Sequence, residues 1–206
     1  MDFRIIPMER RYLKQAVDVH LRAFPGFFLS VLGRSFLYQY YLAALNEPSG
    51  ISFIAQDADS DVIIGTVLGT ASPAGFYRRL AAQRWWRFCL TSLGAVLRNP
   101  KITGRLIRAL RYRGDPPDMA GYALLSSIAV TPEAQGWGVG KALMKYYLEE
   151  ARTRACEGAY LTTDAFGNEA VNEFYRRGGW KIDYEFTTPE GRKMNRYTIS
   201  FGSYTR

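Results

Sequence analysis

Gly136, Gly138 and Gly140 stand at alternate positions just beyond an apolar run, Leu124 to Val130. Pro132 lies between them and ends any strand ladder there, because proline has no N–H to give. Behind the glycines a helical pattern starts, with Leu143, Tyr147 and Ala151 at four-residue spacing on one face. A strand, a glycine-rich turn and a helix start together make an anion site. The first amides of a helix have no partner within it, and the helix dipole is positive at that end. Glycines let the backbone approach a guest closely, so a phosphate group fits. Taken alone, these residues imply a phosphate-bearing ligand and nothing finer.

Two nucleotide patterns are excluded. A Walker loop ends in Gly-Lys-Ser/Thr, whereas Gly140-Lys141 is followed by Ala142, which offers magnesium no hydroxyl. The dinucleotide fingerprint is G-x-G-x-x-G, and the spacing here is G-x-G-x-G. The segment instead resembles the coenzyme A site of the GNAT superfamily of acyl-CoA-dependent N-acyltransferases. That family's pattern, V-x-P-x-x-[Q/R]-G-x-G-[I/V]-G-x-x-L, is met by Val130, Pro132, Gln135, Gly136, Gly138, Val139, Gly140 and Leu143. The likeness is strong over residues 120–185 and weak in the N-terminal third. Residues 74–115 have no counterpart in the minimal family fold.

The resemblance implies an α+β fold: a mixed, mostly antiparallel central sheet with helices on both faces and splayed fourth and fifth strands. Here it would carry an added helical insertion. It implies acetyl-CoA as co-substrate and no metal. The pantetheine arm would lie between the splayed strands along Ile128, Ala129 and Val130, with the backbone of Ile128 and Val130 bonding its amides. The amide near Ile128 would polarise the thioester carbonyl. Backbone amides of Gln135, Gly136, Trp137, Gly138, Val139, Gly140 and Lys141 would hold the pyrophosphate. The family's N-x-x-A-x-x-[F/L]-Y run is nearly matched from Asn168 to Tyr175, with Ala170 two residues after Asn168 rather than three. Asn168 would touch the coenzyme arm. Tyr175 would return a proton to the leaving thiolate; the competing reading makes it a core tyrosine. No general base is assigned. Where many members place a Glu on the fourth strand, this chain has Ser126 and Ser127. Asp164 could draw a proton through water, and His20, the single histidine, reads as structural.

Positioning these groups requires a frame of strands and helices. Phe3 to Ile6 reads as a strand, Glu9 to Ala23 as a helix and Phe27 to Leu45 as a second, aromatic-rich helical stretch. Ile51–Ala55 and Val62–Ala71 read as a hairpin around Asp57–Asp61. That acidic turn lacks the glycine and the terminal Glu of a calcium loop. Phe76 to Leu97 is helical, with Trp86, Cys89, Leu93 and Leu97 at helical spacing, and Lys101 to Arg111 is helical again. Gly121–Val130 and Ala159–Asp164 are strands. Asn168 is expected to cap a helix that runs to Arg177 and is closed by Gly178-Gly179. Trp180–Thr187 and Met194–Phe201 are the last two strands. The whole chain, 1–206, is expected to be one domain with the insertion at about 74–115.

Composition bounds the function. The chain has 206 residues, 48% apolar and 15% aromatic, which is globular rather than disordered. Two cysteines and one histidine make a metal centre improbable, and a reducing cytoplasm is the default. The net charge of +8 is concentrated: residues 74–114 hold ten Lys or Arg and no Asp or Glu. The insertion therefore reads in three ways: a solvated basic face on packed helices, a lid over an anionic substrate, or an anionic membrane surface engaged through residues 76–113. No nucleic acid is expected, since no recognition motif accompanies the charge.

The expected function is transfer of an acetyl group from acetyl-CoA to a primary amine by direct attack in a ternary complex. A small-molecule amine acceptor with anionic character, such as a nucleotide-linked amino sugar, suits the basic insertion. The alternatives are a non-catalytic coenzyme A-binding sensor or adaptor, and a membrane-surface acyltransferase at the inner face of the membrane. Oligomeric state is not legible.

Overall fold

The computed structural model describes residues 2–98, 104 and 119–202. The elements in order are β1 (Phe3–Pro7), a 3-10 turn (Arg10–Tyr12), α1 (Leu13–Ala23), α2 (Phe28–Leu32), α3 (Arg34–Leu45), β2 (Gly50–Asp57), β3 (Ile63–Thr70) and α4 (Phe76–Arg98). They continue with β4 (Tyr122–Val130), a 3-10 turn (Pro132–Ala134), α5 (Val139–Thr153), β5 (Gly158–Asp164), α6 (Glu169–Arg177), β6 (Lys181–Thr187) and β7 (Lys193–Ser200). The strands form one sheet in the order β1-β2-β3-β4-β5-β7-β6, antiparallel at every pair except β4–β5. This is the mixed, mostly antiparallel architecture the sequence implies.

Apolar residues on both sides of the central strands explain why helices cover both faces. Every residue of β3 is buried. Its Ile63 and Leu68 join a core with α1, α2, α3 and α4, while Ile64 and Val67 join a second core with α5 and α6. Strand side chains alternate between faces, and a bulge at Ile64, the extra residue between the Gln56–Ile63 and Ala55–Gly65 pairs, shifts the alternation so that Ile63 shares a face with Leu68.

Two expectations are refined, and a third lies outside the described residues. The aromatic stretch after Pro25 is two helices, because Gly33 sits at φ 92° and breaks the run between α2 and α3. Its Phe36, Tyr40 and Tyr41 are core residues. Helix α4 is kinked at Arg84 (φ −148°, ψ 33°). It packs through Phe76, Leu80, Phe88 and Ala95, whereas Trp86, Cys89, Leu93 and Leu97 lie on its exposed side. The second helix read at 101–111, with Lys101, Arg105 and Arg108, falls outside the described residues.

The first half of α4 is pinned by charge. Arg79 Nε donates to Glu47 Oε1 at 2.7 Å and Gln83 Nε2 to Glu47 Oε2 at 3.1 Å. Glu47 is buried, so Arg79 satisfies a desolvated carboxylate and does not belong to a solvated basic face. The second half is held by Phe88 against Phe36, ring centroids 5.1 Å apart. The Asp57–Asp61 turn is closed by Asp57 Oδ1, which accepts from the Ser60 amide at 2.8 Å, the Ser60 hydroxyl at 2.7 Å and the Asp59 amide at 3.1 Å. These donors satisfy the carboxylate as an Asx turn does.

Candidate active site

The parallel ladder between β4 and β5 is short. It pairs Tyr122 with Gly158, Ala123 with Ala159 and Leu124 with Tyr160, and it stops there. Strand β4 nevertheless stays on β3 as far as Val130, and β5 stays on β7 as far as Asp164. Beyond Leu124 the two strands therefore diverge. Among the described residues, the far half of β4, from Leu125 to Val130, has no ladder partner on that side.

A bulge marks the point of divergence. Leu68 faces Ser127 and Gly69 faces Leu125, so Ser126 is the extra residue on β4. Its hydroxyl is shared by two phenols, Tyr40 Oη at 2.8 Å and Tyr77 Oη at 3.0 Å. Strand β4, helix α3 and the first turn of α4 thus meet at one polar point in a mainly apolar wall. The serine was legible as the polar residue of an apolar strand. Its two tyrosines carry no sequence signal linking them to it.

At the end of β4 the chain passes through the 3-10 turn into the glycine loop. Gly136 and Gly138 have φ of 81° and 83°, a region that costs other residues steric strain. A Cβ at either position would meet nothing within 4 Å, so it is conformation and open space, not packing, that calls for glycine. Gly138 precedes α5 without a side-chain cap, and the first turn has no acidic residue. The first intrahelical bond runs from the Ala142 amide to the Gly138 carbonyl at 3.0 Å. The amides of Val139, Gly140 and Lys141 are therefore left to an outside acceptor. Gln135 through Gly138 and Lys141 are exposed, and Trp137 stands out beside the loop. Loop, open space and uncapped amides fit a diphosphate.

Gly140 links this loop to α6. A Cβ there would lie 3.5 Å from the Phe174 ring and 3.7 Å from Val130. The structure so brings Val130, Gly140 and Phe174 together, where β4 ends, α5 begins and α6 runs past. Asn168 stands at the head of α6 but does not cap it with its side chain. Its Nδ2 donates back to Thr163 Oγ1 at 2.8 Å and to the Asp164 carbonyl at 3.4 Å, which holds the side chain on β5 instead of over the helix amides.

Tyr175 is buried among Phe174, Trp180 and Tyr197, with centroids 5.3, 5.9 and 5.5 Å away. Burial raises its pKa, with the neighbouring Tyr197 adding to the effect, so the phenol stays protonated at neutral pH. A polar network that sequence reading missed holds the helix. Asn172 Nδ2 donates to the carbonyls of Asp164 and Asn168, both at 2.9 Å. Its Oδ1 accepts from Asn195 Nδ2 at 3.0 Å and Tyr197 Oη at 2.9 Å. Two asparagines 23 residues apart give no local pattern to notice.

The three base candidates differ in situation. His20 is buried against Tyr41, Nδ1 to Oη 3.1 Å, and burial lowers its pKa to about 4. It is a neutral core residue, packed edge-on against Phe24 and Tyr41. Asp164 is clasped by Arg192, with Nε–Oδ1 3.0 Å and Nη2–Oδ2 2.5 Å. Ser126 is the bulge residue already described. Asp164 and Arg192 line a cavity of about 320 Å3 with Pro25, Gly26, Phe27 and Phe28. Among the described residues no cluster of three or more His, Cys, Asp or Glu could hold a metal ion.

The chain matches the Acetyltransferase (GNAT) family over residues 14–180. It belongs to that family. A curated relative, the uncharacterised N-acetyltransferase ycf52-like of Prochlorococcus marinus, is 32% identical over 94 residues, covering 46% of this chain and 48% of the relative. The chain thus spans about half the length of the curated relative it matches. Ribosomal-protein-alanine N-acetyltransferase from Brucella melitensis superposes with a TM-score of 0.63 at 14% identity, over 96% of this chain and 99% of that one. A streptothricin acetyltransferase homologue from Bacillus anthracis, solved with acetyl coenzyme A, gives 0.51 at 18% identity, over 78% and 68%. At these identities the likeness is one of fold. The GNAT fold places the diverging strands and the glycine loop of this chain within a single architecture.

Proposed function

We propose that this GNAT protein transfers an acetyl group from acetyl-CoA to a primary amine. The observation that carries the reading is the divergence of β4 and β5 beside an uncapped helix start built on glycine. The diphosphate takes the amides from Gln135 to Lys141, and the pantetheine arm follows Ile128, Ala129 and Val130. Asn168 borders the arm. The amine enters at the open end of β5, where Phe27, Phe28, Asp164 and Arg192 line the cavity. In the reaction the amine nitrogen bonds to the thioester carbon, the carbon–sulfur bond breaks, and the nitrogen gives its proton to water. Tyr175, a phenol that burial keeps protonated, returns a proton to the thiolate.

Acceptors bearing an anionic group as well as the amine, such as nucleotide-linked amino sugars, fit best with the ten basic residues between 74 and 114. A cytoplasmic location accords with two free cysteines, Cys89 and Cys156. A second reading, a coenzyme A-binding adaptor without catalysis, draws support from Ser126 and Ser127, which leave β4 without a carboxylate.

Calorimetric titration with acetyl-CoA and a thiol-release assay over an amine panel test both. Gly138→Asp places a charge and a strained Cβ at the loop. It should abolish acetyl-CoA binding while circular dichroism remains native; unchanged affinity would sink the loop assignment. Tight binding with no thiol release from any amine would favour the adaptor.

A further inference from the structure

We propose that the outward face of α4 docks on an anionic phospholipid surface. The proposal stands apart from the coenzyme reading, since it uses none of the residues placed in the cleft.

The observation is an inverted helix. Past the kink at Arg84, Trp85, Trp86, Leu90, Leu93 and Leu97 point to solvent, each between 48% and 74% exposed. At about 100° per residue they share one side of the helix. The opposite side, with Phe88 and Ala95, packs on the domain. A surface helix normally turns its apolar side inward and its polar side out. Here both sides are apolar and the outer one has no cover among the described residues. The helix is not poised to roll over, because the Arg79–Glu47 ion pair and the Phe36–Phe88 contact anchor it on either side of the kink.

Charge chooses the occupant. Helix α4 holds five arginines and no Asp or Glu; Arg79 is paired with Glu47, which leaves four, and the segment 74–114 continues the bias in sequence. A second copy laid on this face would set basic residues against basic residues. A bilayer with anionic headgroups offsets them, accepts the leucines below the headgroup level and suits tryptophan at the interface. Arg87 lies over the Trp86 ring, 4.7 Å to the centroid, so charge and aromatic are presented together. Among the described residues no helix is long and apolar enough to cross a membrane, so the mode is one of lying on the surface.

The experiment is co-sedimentation of the full chain with vesicles of phosphatidylcholine alone or with one third phosphatidylglycerol. Binding should appear on the anionic vesicles, weaken as salt is raised and shift tryptophan emission to the blue. Leu90→Glu/Leu93→Glu should lower the partition coefficient about tenfold or more, with acetyl-CoA affinity and circular dichroism unchanged. Arg78→Gln/Arg87→Gln, which spares every apolar side chain, should lower it less and flatten the salt dependence. Absence of binding to both vesicle types, or undiminished binding of the leucine variant, overturns the proposal. So does self-association in sedimentation velocity that the leucine variant abolishes, which would give the face to a second copy. Co-sedimentation indifferent to phosphatidylglycerol also overturns the anionic assignment.

Discussion

His20 and Tyr175 are both buried titratable groups, and burial moves their pKa values in opposite directions. The charged form is disfavoured in each case: imidazolium for one, phenolate for the other. For His20 the pKa falls from 6.5 to about 4. Between those values the unfolded chain takes up a proton that the folded chain refuses, so stability rises with pH across that window. It is fully present above pH 6.5 and declines as the pH drops toward 4, by as much as about 3 kcal/mol. Urea denaturation from pH 7.5 to 4 should trace this slope. His20→Gln keeps a polar partner for the Tyr41 hydroxyl and should flatten it. Tyr175 bears on chemistry. Tyr175→Phe keeps the ring contacts and removes the proton, so turnover should fall about 10²-fold or more with acetyl-CoA affinity within a few-fold. Near-normal turnover from pH 6 to 9 would return Tyr175 to a purely packing role.

At the scale of elements, α6 is seated by hydrogen bonds as well as by oil. Its Asn172 reaches β5 through the Asp164 carbonyl and β7 through Asn195 and Tyr197. Asn172→Ala would strand the Asn195 amide in a dry site and leave the Tyr197 hydroxyl only the residue-172 carbonyl, now 3.4 Å away. The loss should be about 3 kcal/mol in denaturant unfolding, because a buried polar group without a partner keeps its full desolvation cost. Asn195→Ala removes one donor only and should cost less. Elements also explain what could be read in advance. The glycine loop was legible because its chemistry is local: glycine at fixed spacing, proline before it and apolar periodicity after it. The β4 bulge was not, because a bulge is a relation between two strands and leaves no mark on either alone. Asn168 looked like a cap because asparagine at a helix head usually is one. Here its Nδ2 is taken by the carbonyl and hydroxyl of the preceding strand, which keeps the side chain on β5 instead of over the helix amides.

The whole molecule shows the limit of periodicity. The spacing of Trp86, Cys89, Leu93 and Leu97 identified residues that share a side of a helix, yet it carried no information on which way that side turns. Orientation was decided elsewhere in the chain, by Glu47 and Phe36, which hold α4 by its other side. The mixed sheet with helices on both faces, by contrast, came from the family resemblance, and the burial of β3 along its whole length gives the physical reason for it. Gly33 divided one expected helix into two because a positive φ interrupts helical propagation.

Three residue pairs hold β4 to β5 before the strands part, and this gives the sheet two edges in its interior. Outer edges can be shielded by charge or left short. Interior ones cannot, since they face each other across the domain. Such a gap selects its occupant by shape and by alternation of donors and acceptors. A chain-like guest with amide groups along its length can complete the ladder, as a peptide strand would. A plain nucleotide can satisfy the helix end but leaves the strand edges to water. Discrimination between molecules that share a diphosphate would then be written in the backbone, where no side-chain substitution can erase it.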